Sequence, residues 1–76
     1  MSVFDEAVAA SRLADVIAPF TMTRLLVRAD VSPRTLTREE LAAALPTIEE
    51  GLRVYLGEEA LRAAVEDLRR VAAGAS

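Results

Sequence analysis

Between residues 19 and 38 the arginines Arg24, Arg28, Arg34 and Arg38 stand against a single acid, Asp30, a local excess of three positive charges. A guanidinium group presents a rigid fork of donors that matches phosphate, carboxylate or the edge of a guanine. The stretch could therefore recognise nucleic acid, hold an acidic protein partner, or pair with the chain's own carboxylates. The acids offer less. Glu39 and Glu40, Glu49 and Glu50, Glu58 and Glu59, and Glu66 and Asp67 are neighbours in sequence. On a helix such neighbours diverge by about 100°, so none of the pairs makes a carboxylate dyad, and each reads as part of a solvated face. The chain has no His and no Cys, which removes the usual general base, thiol nucleophiles, disulfides and common zinc sites. A Ser or Thr nucleophile would need an activating partner that no spacing here supplies. The expectation is a non-enzymatic protein with no cofactor and no metal.

Two phrases resemble known motifs. The phrase TLTREEL (35–41) resembles the end of an EF-hand loop and its exiting helix. That register sets Ala29, Val31 and Pro33 at ligand positions and Arg34 at the turn glycine, and none of these ligates calcium through its side chain. What the phrase does describe is a helix start. The run TRLLVRADVSPRTLTR (23–38) resembles the helix-turn-helix of bacterial regulators, in which an apolar helix, a short turn and the phrase VSxxTL introduce the recognition helix. The resemblance implies core positions for Val31 and Leu36, and DNA-facing positions for Ser32, Arg34, Thr35 and Arg38. The sequence departs from that pattern at Asp30, where Gly is usual, at Leu26, where a small residue is expected, and at Glu39 and Glu40. If Thr37 caps a new helix, the recognition helix does not exist.

These residues must be carried by a small scaffold. A length of 76 residues suits one domain, 1–76, and hydrophobic and charged shares of 53% and 28% are those of a folding chain. At this size a single core supplies only a few kcal/mol. With disulfides and zinc removed, self-association is the remaining support. The net charge of −3 and pI near 4.8 oppose bulk attraction to nucleic acid or to an anionic membrane. The stretch MSVFDEAVAA has acids where a signal peptide has basic residues, and no apolar run reaches the roughly 20 residues that span a bilayer. A cytoplasmic protein without a membrane segment is expected, and the initial Met1 suggests a complete gene product.

The periodicity predicts four helices and no strand. Residues 2–17 form the first, capped by Ser2, with Val3, Ala7, Ala10, Ala14 and Ile17 on one stripe and Leu13 and Val16 extending it. Pro19 ends or kinks it, and a second helix follows almost continuously over 19–29. In that helix Met22, Leu25, Leu26 and Ala29 lie opposite Thr21, Arg24 and Arg28, while Val27 falls outside the apolar face. Residues 30–36 are a break. Thr37 with Glu40 matches a capping box, and Leu41, Leu45, Ile48, Leu52 and Tyr55 carry a third helix on to Leu56 through a kink at Pro46. Gly57 separates it from a fourth helix bearing Leu61, Val65, Leu68 and Ala72. The last two helices then form an antiparallel hairpin around Gly57, and 72–76 is a frayed tail.

The fold expected is an all-α, small four-helix bundle. Two apolar triplets, Leu25, Leu26 and Val27, then Val54, Tyr55 and Leu56, cover more than one helix face, so a surplus of apolar surface is expected outside the core. That surplus points to a protein-interaction module in bacterial regulation, a homodimer or an adaptor that docks a partner helix. The alternative is a helix-turn-helix regulator using residues 23–38.

Overall fold

The computed structural model describes residues 2–74, and among them all regular structure is helical. The helices are α1 (Val3–Ala10), α2 (Ala18–Arg28), α3 (Arg38–Leu52) and α4 (Glu58–Ala73), with a 3-10 turn at Pro33–Thr35 between α2 and α3. Each helix packs on two neighbours: α4 on α3 and α1, and α2 on α3 and α1, the pair α3 and α4 being the most extensive. The enclosed core joins Ala7 of α1, Met22, Leu25 and Leu26 of α2, Leu41, Ala44, Ile48 and Leu52 of α3, and Leu61, Ala64, Val65 and Leu68 of α4. Leu36, from the connection, closes one side of it.

The all-helical, four-helix fold is as the periodicity predicts; the first helix is not. α1 stops at Ala10, because Ser11 turns its hydroxyl back onto the chain. The Ser11 Oγ donates to the Val8 carbonyl at 2.8 Å and accepts from the Leu13 N–H at 3.3 Å, so the side chain competes with the next helical turn. Arg12 then takes a left-handed φ of 64° and reaches Asp67 of α4 at 2.7 Å. Residues 11–17 therefore separate α1 from α2, which begins at Ala18 with Pro19 in its first turn. The two are not a near-continuous rod. Ala14 and Ile17 leave the stripe assigned to them, and Val16 is almost fully exposed.

α2 ends in a Schellman arrangement, with the Val31 N–H donating to the Leu26 carbonyl at 2.9 Å and the Asp30 N–H to the Val27 carbonyl at 3.0 Å. Asp30 adopts the left-handed φ of 63° this requires, standing in for the glycine more common there. α3 opens on the expected capping box: the Thr37 Oγ1 accepts from the Glu40 N–H, and the Glu40 Oε1 accepts from the Thr37 N–H, each at 3.0 Å. Thr37→Ala is expected to lower the unfolding free energy by about 1 kcal/mol, read from the midpoint of urea denaturation.

α3 passes through Pro46 as one helix and stops at Leu52, four residues short of Leu56. Its final carbonyls are taken in a tightened turn, with the Tyr55 and Leu56 N–H groups both donating to Leu52 at 2.9 Å, because the chain has only 53–57 in which to reverse into α4. Gly57 lies in extended backbone as the N-cap of α4 and does not end α3. Of the tail expected at 72–76, Ala72 and Ala73 belong to α4 and Gly74 caps it in a left-handed conformation; 75–76 lie outside the described residues.

Candidate interaction surface

The two faces of α2 separate the apolar triplet on it. Leu26 is fully buried and Leu25 nearly so, whereas Val27 is 58% exposed. Leu25 and Leu26 are thus core residues and not surface candidates. The reason is that α2 packs against both α1 and α3, so its buried arc is wide enough to take two successive leucines. The outward face carries Phe20, Arg24, Val27 and Arg28, at the four-and-three spacing of one helix side. Phe20 is 66% exposed, and the Arg24 guanidinium lies over its ring, 5.9 Å from the centroid.

The second triplet is divided in a different way. Leu56 is half-buried against the core, while Val54 and Tyr55, at 82% and 49% exposure, stand out from the turn after α3. The turn sets them beside the outward face of α2. Arg24, Arg28 and Thr21 on one side and Val54 and Tyr55 on the other border a shallow depression of about 90 Å³, floored by Leu25 and Gly51. Gly51 is what allows this approach, since a Cβ there would run into the side chain of Leu25. Neither Phe20 nor Gly51 stands out in the sequence as a site residue. The spacing from Phe20 through Arg24 to Val27 and Arg28 is the signal that finds the first; nothing local marks the second.

The four arginines do not form one patch. Arg24 and Arg28 share the depression, and Arg34 sits exposed on the 3-10 turn beside Ser32, Pro33 and Phe4. Arg38 bonds to its own chain at the surface: one Nη donates to the Val71 carbonyl at 2.7 Å, and the other to the Glu6 carboxylate at 3.0 Å. It ties the first turn of α3 to α1 and to the end of α4. Arg38 is thus an intrachain clamp and not a free contact residue. Among the described residues the ion pairs are Arg12–Asp67, Arg38–Glu6, Arg53–Glu49 and Arg70–Asp67, which leaves Arg24, Arg28 and Arg34 of the basic stretch, and Arg62 and Arg69 of α4, without one.

The helix-turn-helix resemblance can be read onto the same geometry. Leu36 is in the core and Val31 packs against it. Ser32, Arg34 and Thr35, however, lie in or beside a three-residue 3-10 turn, and the following α-helix begins only at Arg38, after the Thr37 cap. No α-helix presents those three side chains together. Among the described residues no group of three potential metal ligands occurs, and no helix is long and apolar enough to cross a membrane.

Comparison with known proteins adds nothing to this: no family model, no curated protein and no solved structure matches the chain.

Proposed function

We propose that the chain is a non-enzymatic protein-interaction module, an adaptor that receives a segment of another protein on the outward face of α2 and the end of α3. The observation that carries this is the grouping of Val54 and Tyr55 with Arg24 and Arg28 around one depression, with Phe20 and Val27 on the same side of α2. Burying an aliphatic or aromatic side chain of this size contributes roughly 1.5–3 kcal/mol when complete, and aromatic and arginine side chains are the ones that dominate interface energetics. A second copy of the chain is a poorer occupant. A two-fold interface sets the same patch against itself, bringing Arg24 and Arg28 toward their own counterparts, and no carboxylate lines the depression to receive them. A cytoplasmic setting in bacterial regulation belongs to the same proposal, and the Cys-free composition suits a reducing compartment.

Amide chemical-shift titration with amphipathic helical peptides, in acidic, neutral and basic versions, tests the reading. Saturable shifts at residues 20–28 and 51–56 with at least one peptide are expected. Absence of such shifts with all three would overturn it. Shifts on that face that grow with protein concentration alone would replace the adaptor by a homodimer. Shifts centred on Ser32, Arg34 and Thr35, produced by duplex DNA at low salt, would replace it by the DNA-binding alternative.

A further inference from the structure

We infer that the occupant of this surface is an acidic amphipathic helix, which seats one apolar side chain between α2 and α3 and sets carboxylates against Arg24 and Arg28. The inference rests on the interaction-module reading and specifies its partner. Size decides the first half. A depression of about 90 Å³ is well below the roughly 300–1,000 Å³ of pockets that enclose a small-molecule ligand, but an aliphatic side chain can enter it over the apolar floor of Leu25. The seat is open on the solvent side, so the rest of the occupant lies outside it, along α2.

Charge decides the second half. Arg24 and Arg28 are one helical turn apart on one wall, a separation of about 6 Å between side-chain bases. Carboxylates one turn apart on a partner helix repeat at that same interval, so one register satisfies both arginines with the apolar anchor between them. The guanidinium of Arg24 is already oriented by the Phe20 ring beneath it, which reduces the side-chain freedom lost on pairing. Neither arginine has a carboxylate of its own chain to displace. Tyr55, half exposed on the same lining, brings a hydroxyl that can bond a remaining carboxylate oxygen.

The charge of the whole chain separates this occupant from a polyanion. With a net charge of −3, the molecule repels an extended anionic surface such as duplex DNA or a vesicle. A short acidic segment seated between two arginines interacts mainly within the Debye length of about 8 Å at physiological salt, where the local field is positive. Charge pairing of this kind chooses the partner and its register as much as it supplies affinity.

The test compares two labelled helical peptides by fluorescence anisotropy, each with leucines along one face and flanked either by glutamates or by the isosteric glutamines. The glutamate peptide is expected to bind tighter by about tenfold or more, the factor that one charge-assisted hydrogen bond supplies. That advantage is expected to shrink as salt is raised and to vanish in the double variant Arg24→Gln, Arg28→Gln. Both positions are exposed, and circular dichroism checks that the variant keeps its helices. Equal affinities for the two peptides, with both landing on residues 20–28, would overturn the acidic partner and leave the interaction module standing. Tighter binding of anionic vesicles or of DNA than of the glutamate peptide would overturn it as well. Failure of both peptides to bind would remove the inference, and absence of amide shifts with every peptide charge would remove the module with it.

Discussion

Leu26→Ala is expected to lower the unfolding free energy by about 2–5 kcal/mol, while Val27→Ala, one residue further on, lowers it by less than about 0.5 kcal/mol. Leu26 has no exposed surface and lies in the core on a helix packed against both α1 and α3, so truncation leaves a cavity that the packed elements close only in part. Val27 is more than half exposed and loses little that it had buried. A domain of this length has a total stability of roughly 4–11 kcal/mol at typical per-residue values. The first change therefore removes a large share of it and the second almost none. Urea denaturation of both variants against the parent reads the contrast directly. Similar losses at the two positions would mean that α2 is rotated from the orientation described.

Pro46→Ala is expected to act in the opposite direction, raising the unfolding free energy by about 1–3 kcal/mol. Pro46 stands in the interior of α3 with its ring exposed. It has no N–H to return to the carbonyl of Ala42, and its ring crowds that carbonyl. Ala42 and Ala43 are exposed too, so water takes over part of the missing bond, which holds the gain below the full helix-propensity difference. The measurement is the shift of the urea midpoint at unchanged slope. A lower midpoint would show that the local backbone shape imposed by Pro46 is what seats Ile48 and Leu52 in the core.

Where structure depends on neighbours along the chain, the sequence was a sufficient guide. The start of α3 is read from Thr37 and Glu40 because both halves of the capping box lie within one turn. On α2 the outward positions of Arg24, Val27 and Arg28 follow from spacing alone, whereas Thr21, which spacing sets beside the arginines, is buried because α2 packs against both α1 and α3. Remote partners were not legible. α1 ends where it does through Ser11 and Arg12, and Arg12 meets Asp67 at the far end of the chain. Arg38 belongs by sequence to a basic stretch, yet Glu6 and the Val71 carbonyl hold it against its own chain. The count of surplus apolar residues failed for Leu25 and Leu26 because one stripe per helix is too narrow a rule for a helix wedged between two others. It failed differently around Tyr55, since the helical spacing was extended into residues that form a turn.

That turn and the outer side of α2 hold four of the six large apolar residues left exposed among the described residues, Phe20, Val27, Val54 and Tyr55, and their purpose is the central claim. The most direct measurement is the affinity of the double variant Phe20→Ser, Val54→Ser for the glutamate-flanked helical peptide, taken together with its urea midpoint. Docking on this face requires the affinity to fall by about tenfold or more while the stability stays within about 0.5 kcal/mol of the parent. Undiminished affinity, or a loss of stability comparable to that of Leu26→Ala, would contradict the assignment of these side chains to a partner.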